Sequence, residues 1–173
     1  MLKIGLHILP GPSPSAAVEI AVLADQNNFN SVWYTDHPVT TTFGPVVDIE
    51  ASCPEVWTVL GAMAVETKRV TIGPAVLSGT ARHPFITAQA AATLDRLSGG
   101  RAVLGVGAGL PWEIEPFGLD TSLLVSRLRE AIIVIRKLLS EPKVNFQGRF
   151  YRLKGAGLGI KCIQKPHLPI LLA

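Results

Sequence analysis

Four short stretches of this chain combine side chains and backbone that could do chemistry. The first is Asp36-His37. Histidine titrates near neutrality, so His37 could give or take a proton, and Asp36 could orient it. The competing reading is a histidine that closes a turn before Pro38, with Asp36 bonded to the loop backbone. The second stretch is GVGAG, with Gly105, Gly107, Ala108 and Gly109. Such a loop lets the backbone approach an anion or a flat ring closely. It is not the dinucleotide fingerprint G-x-G-x-x-G, because position 110 is Leu and the next glycine is Gly118. A plain tight turn is the alternative. The third stretch is Gly73-Pro74-Ala75-Val76, whose small residues would let a planar ring lie against the chain. It reads equally as a buried strand bent at Pro74. The fourth is Arg82-His83 before Pro84. Arg82 could reach a phosphate beside free N–H groups of a helix end, or stand on the surface. Glu113 and Glu115 follow the glycine loop as carboxylic acids or as solvated charges.

These residues depend on the elements that carry them. Leu2–Leu9 is a short apolar strand, and Ser13 with Pro14 opens a helix as N-cap and first residue. That helix ends near Asn27-Asn28. Ser31–Thr35 is strand two, and a long polar loop runs from Val39 to about Ser52. Pro54-Glu55 opens helix two, whose Val56, Val59, Leu60 and Met63 fall at helical spacing. Val70–Ser78 is strand three. Pro84 opens helix three, which runs to the glycine stop at Ser98–Gly100. Ala102–Val106 is strand four, and Leu110–Leu119 is a loop. Leu124 to Leu139 draws an apolar stripe on helix four, stopped by Pro142. Residues 144–164 read as an inserted hairpin and excursion, and Pro169–Ala173 as strand five.

Alternating strands and helices imply a parallel sheet covered by helices. Two architectures fit: the N-terminal half, strands one to five, of a TIM (β/α)8 barrel, or a complete open doubly wound sheet. A full barrel takes about 250 residues, so a length of 173 residues favours the open sheet, while the motifs favour the barrel. In either case strand ends two, three and four converge on one mouth, which is where such proteins hold a ligand. His7, ending strand one, points to the same mouth. His167 sits apart in a Pro-flanked loop. Trp33, Trp57 and Trp112 read as packing residues.

Composition narrows the function classes. Mean hydropathy is +0.36 with 48% hydrophobic residues, as expected for Ala-rich helices and strands buried on both faces. No uncharged apolar run of about 18 residues occurs, so a membrane span is not expected. The start, Met1-Leu2-Lys3, enters a strand without a signal-peptide layout. Cys53 and Cys162 make neither a disulfide framework nor a metal-ligand spacing. A cytoplasmic protein without a metal is therefore expected. The net charge of +3 comes from singly scattered Lys and Arg, densest at Lys143–Lys165. No basic stripe interleaved with aromatics points to nucleic acid. No G-x-S-x-G elbow and no P-loop occurs.

Taken together, three stretches resemble the luciferase-like monooxygenase superfamily, the TIM-barrel flavin and coenzyme F420 oxidoreductases. They are SVWYTDH, VTIGPAVLSGTARHPFITAQAAATLDRLSGGRAVLGVGAG, and the tail from REAIIVIRKLLSEPKVNFQGRFYRLKGAGL to KPHLPILLA. ARHP and TLDRLSGGR are most similar to the F420-dependent branch, including methylenetetrahydromethanopterin reductase-like enzymes.

The resemblance implies hydride transfer between F420, or alternatively FMN, and a small organic substrate. It implies His37 and Asp36 beside the ring, and a non-prolyl cis peptide at Ala75–Val76 supporting it. Gly105, Gly107, Ala108 and Gly109 would border the cofactor, and residues 144–164 would match an insertion before strand five. One departure is Leu110, where some F420 enzymes carry Glu, which puts a sugar-phosphate dehydrogenase-like role in doubt. The other is length: residues 1–173 read as a single incomplete barrel domain that needs a complementing C-terminal half or a second copy. A non-catalytic half-barrel remnant or assembly subunit, and a nucleotide-binding open sheet, are the competing readings.

Overall fold

The structure, a computed structural model, describes residues 2–9, 11, 13–41, 47–48 and 53–173. Parts of the PGPSP loop and of the 39–52 loop lie outside the described residues. Strand β1 (Gly5–Ile8) leads to helix α1 (Pro14–Gln26). The Ser13 hydroxyl accepts from the Ala16 N–H at 3.2 Å, and Pro14 occupies the first turn. Strand β2 is Ser31–Tyr34. The following loop holds a two-residue antiparallel pair, β3 (Thr40–Thr41) and β4 (Val47–Asp48), too short to show in a hydropathy pattern.

Helix α2 (Val56–Glu66) starts two residues later than expected. Glu55 is its cap and accepts from the Thr58 N–H at 2.9 Å, so Pro54 lies before the cap, not at the first helical position. The single strand expected over 70–78 is two segments, β5 (Thr71–Pro74) and β6 (Leu77–Ser78), separated by a cis Ala75–Val76 peptide. Helix α3 (Pro84–Leu97) and strand β7 (Leu104–Gly107) follow. The expected loop after β7 contains a one-turn helix, α4 (Pro111–Ile114), and a 3₁₀ turn at Glu115–Phe117. Helix α5 (Leu124–Ser140), the hairpin β8 (Val144–Gln147) and β9 (Arg152–Ala156), and strand β10 (Ile170–Leu172) complete the chain.

Every strand that joins a helix to the next is parallel to its neighbours. β1 pairs with β2 and β2 with β5, while β6 pairs with β7 and β7 with β10. An Ile72–Ala102 bridge joins the two sets. Spatial order therefore follows chain order, as in a (β/α)8 barrel. A doubly wound sheet requires the strand order to reverse at a switch point, and no reversal occurs among the described residues. The open-sheet reading is thereby corrected, and with it the nucleotide-binding reading that depended on it.

The core fills the space between strands and helices. Val32, Ile72, Leu104 and Val106 are fully buried against Leu60, Met63, Ala88, Ala91 and Ile135. Alanines on α3 allow its axis to come close to the sheet. The outer strands are less covered: Leu171 and Leu172 are 50% and 66% exposed. Among the described residues β1 and β10 each have one pairing partner. No helix of the described residues is long and apolar enough to cross a membrane.

Three polar side chains tie the N-terminal ends of the strands. The Arg101 guanidinium donates to the carbonyls of Ala64, Thr67 and Val70 at 2.9, 2.9 and 2.7 Å, satisfying the end of α2. Asp95 accepts from the Ile163 and Gln164 N–H groups and pins the excursion after β9. Gly99 and Gly100, at φ +68° and +88°, end α3 in a left-handed turn that other residues resist. Asp25 accepts from the N–H groups of Lys68, Arg69 and Val70 at 3.1, 2.8 and 2.7 Å.

Burial alone would raise the Asp25 pKa, but those N–H groups outweigh it and hold the carboxyl below its ordinary value. A depressed folded-state pKa contributes stability above the unfolded value, and that contribution is lost as pH falls through the folded one. Asp25→Ala is therefore expected to cost about 2–4 kcal/mol at neutral pH. In urea denaturation the deficit should narrow in strongly acid solution. A deficit independent of pH would refute the carboxylate's role.

Candidate active site

The C-terminal ends of β2, β6 and β7 meet at one mouth. Asp36 and His37 leave β2, Ser78 ends β6, and the loop after β7 runs through Gly109 into α4. Two hydrogen bonds close the β6 loop onto that of β7: Gly79 N–H to the Gly107 carbonyl at 2.9 Å, and Thr80 Oγ1 to the Ala108 carbonyl at 2.8 Å.

His37 and Asp36 are adjacent in sequence but have different partners. His37 Nδ1 lies 2.8 and 2.9 Å from the two oxygens of Glu113. The Glu113 side chain is 3% exposed and that of His37 33%. An ionised Glu113 only accepts, so facing it Nδ1 carries the proton, and in a neutral ring Nε2 is then left as an acceptor. Asp36 does not touch His37 in this arrangement. Its Oδ2 accepts from the Ser78 N–H at 2.8 Å and from Arg82 Nη1 at 2.7 Å, and its Oδ1 accepts from Arg82 Nη2 at 2.9 Å. Arg82 Nη2 also donates to Glu55 at 3.2 Å. Burial alone would lower the Arg82 pKa, but Asp36 and Glu55 outweigh it and raise it. His83 caps α3 through Nδ1, at 3.2 Å from the Phe85 N–H, and burial depresses its pKa.

Two cavities flank the Asp36–His37 pair. One, about 360 Å³, is bordered by His37, Ala75, Val76, Gly107, Ala108 and Gly109. The other, about 350 Å³, lies on the side of Pro38, Ala81, Arg82, Ile114, Phe117 and Leu119. Of the residues singled out in the sequence, His37, Asp36, Ala75, Val76, Gly107, Ala108 and Gly109 thus come together. Gly105 does not. It is buried in β7, where a Cβ would collide with the Pro74 carbonyl, so its role is close strand packing. Gly109 sits at φ +86°, and a Cβ there would run into Ser78 Oγ. That hydroxyl is buried and has no hydrogen-bond partner among the described residues.

A planar tricyclic cofactor ring fits these residues. Its face would lie on Ala75–Val76 and the glycine backbone, and the unpartnered Ser78 hydroxyl is a donor for a polar ring edge. No Lys or Arg borders this cavity, so the same residues do not provide for a phosphate-bearing tail.

Two partners had not been assigned from sequence: Glu113 as the partner of His37, and Arg82 as the partner of Asp36. The available signal was topological. Both follow the C-terminal ends of the two strands next in order to β2, so the parallel order alone brings them to His37 and Asp36. Glu115 is exposed, and His7 and His167 border neither cavity.

Comparison with known proteins gives consistent matches. The family model described as luciferase-like monooxygenase matches residues 2–173. An F420-dependent glucose-6-phosphate dehydrogenase of Kineococcus radiotolerans is 36% identical over 148 residues, covering 83% of this chain and 42% of that protein. A 5,10-methylenetetrahydromethanopterin reductase of Archaeoglobus fulgidus is 31% identical over 160 residues, covering 92% of this chain and 44% of that protein. The structure of an F420-dependent secondary alcohol dehydrogenase in complex with an F420–acetone adduct superposes with a TM-score of 0.85. It is 31% identical and covers 98% of this chain and 51% of that one. The chain spans about half the length of the curated relatives it matches.

Proposed function

This chain belongs to the luciferase-like monooxygenase family, and on that premise we propose that it is the ring-binding half of an F420-dependent oxidoreductase, with FMN as the second reading for the cofactor. The observation that carries the proposal is the cavity in which the His37–Glu113 pair faces a cradle of Ala75, Val76, Gly107, Ala108 and Gly109. The relatives named for F420 support F420 as the first choice.

When bound, the ring supplies the hydride chemistry. Everything else is asked of this chain's residues. Glu113 holds the Nδ1 proton of His37 and fixes the ring's orientation. Nε2 then takes the proton of a substrate hydroxyl during oxidation, or returns it to a carbonyl oxygen during reduction. The Glu113 carboxylate stabilises the imidazolium that forms in the first case. Asp36 and Arg82 lock the β2 and β6 ends together, so that His37 stays against the cradle.

The tail of either cofactor carries phosphate, and its grip lies outside these residues. A complementing C-terminal half or a second copy of the chain would supply it, and would cover Leu171, Leu172 and the edges of β1 and β10. The test is a fluorescence titration with F420 and an absorbance titration with FMN, on the chain alone and with a C-terminal half supplied. Saturable F420 binding in the complemented form is expected, tighter than that of FMN. If neither cofactor binds there, the chain is a non-catalytic assembly subunit.

A further inference from the structure

The cavity on the Phe117 side of His37 differs in character from the cradle. Its walls are Pro38, Ala81, Ile114, Phe117 and Leu119, and its charged residues are Asp36, Glu55 and Arg82. Phe117 and Leu119 are 62% and 38% exposed, so the apolar wall opens to the outside. Arg82 is the one Lys or Arg among the described residues that line it, and both of its terminal nitrogens are engaged, Nη1 by Asp36 and Nη2 by Asp36 and Glu55. Glu113 stands on the other side of His37. An anion entering here would face two carboxylates, Asp36 and Glu55, and a guanidinium already shared between them.

The sequence generalises this. No Lys or Arg occurs between Lys3 and Lys68, between Val70 and Ala81, or between Ala102 and Ser126. Those spans contain the loops that follow β1, β2, β5 and β7, and the loop after β6 as far as Ala81. The part of the 39–52 loop outside the described residues falls in the first span, and its only charged residue is Glu50. Apart from Arg82, these loops contain no Lys or Arg.

We infer that this cavity is the substrate side of the site and selects a small uncharged organic molecule, with an apolar body against Ile114, Phe117 and Leu119 and a hydroxyl or carbonyl directed at His37. This rests on the proposed oxidoreductase reading and deepens it.

The test is methyl NMR on the full chain with labelled Ile and Leu side chains, titrated with cyclohexanone, cyclohexanecarboxylate and glucose 6-phosphate. The first two share one apolar body and differ in charge. Cyclohexanone is expected to shift the Ile114 and Leu119 methyl signals and to bind at least about tenfold more tightly than the carboxylate. Glucose 6-phosphate should leave them unmoved. Phe117→Ala, a change on an exposed side chain, should weaken cyclohexanone binding, and Glu55→Gln should narrow the gap between the two cyclohexyl ligands. Cyclohexanone without effect, or either anion binding as tightly at these methyls, would overturn the inference. These signals are read without cofactor, so failure to bind F420 or FMN would count against the oxidoreductase reading and leave the cavity's preference measured.

Discussion

Replacing Arg82 by alanine is expected to destabilise the chain by about 3 kcal/mol, the lower end for a broken buried ion pair. Asp36 is only 8% exposed, and three of its contacts are the Ser78 N–H and the two guanidinium nitrogens. Truncating Arg82 leaves that carboxylate in a poorly hydrated place with one donor. The lower end applies because the Arg82 side chain is 24% exposed, so water can enter the space it vacates. Arg82→Lys should recover only part of the loss, since an ammonium cannot reproduce the two-pronged contact with both Asp36 oxygens. A double-mutant cycle with Asp36→Ala gives the coupling directly. In urea denaturation Arg82→Ala should be harmless, or nearly so, once Asp36 is also removed. Equal costs in both backgrounds would mean that Arg82 acts through Glu55 or through packing, and that Asp36 is not its charge.

This pair also shows what was legible in the sequence. Helix starts were readable where a local rule operates: Ser13-Pro14 and His83-Pro84 set their helices within the first turn. Parallel order followed from alternation of strands and helices. Length misled about the architecture, because it bears on how much of a barrel is present and not on how strands are ordered. The break in the third strand was not readable from periodicity, since Val70–Ser78 is apolar throughout and the cis peptide leaves no hydropathy mark. Helix α4 is four residues long, shorter than any window in which a helical period can be counted, and Glu113 was therefore placed in a loop with no direction assigned.

The stretch TLDRLSGGR helped carry the family resemblance, yet its polar residues do not touch the mouth. Asp95 and Arg101 hold the excursion after β9 and the end of α2, at the opposite end of the strands. In a barrel that end serves stability and the other serves chemistry. The motif identified the fold, and the small set of residues from 36 to 37, 75 to 82 and 107 to 113 had to be assembled by the fold before their partners were visible.

Glu113→Gln should have the larger effect on turnover with little change in shape. The two side chains are nearly isosteric, but the amide can donate as well as accept. Facing His37 Nδ1, it can present N–H to the ring and favour the tautomer with the proton on Nε2. The nitrogen needed as acceptor is then occupied. A wrong-tautomer lesion of this kind, together with loss of the negative charge beside the developing imidazolium, is expected to lower turnover of the completed, cofactor-loaded protein by about 10²–10⁴-fold. His37→Ala should fall in the same range, and the double variant should be little worse than either single one, because both remove one proton path.

The ring nitrogens give an independent readout on the chain itself. With Glu113 present, the 15N shifts of His37 should report Nδ1–H with Nε2 bare, and Glu113→Gln should shift the population toward Nε2–H. Glu113→Asp preserves the charge but shortens the arm, so it should keep the wild-type tautomer while allowing the ring to move. If the tautomer changes in Glu113→Gln and turnover does not, His37 is a wall of the cavity and the proton passes elsewhere.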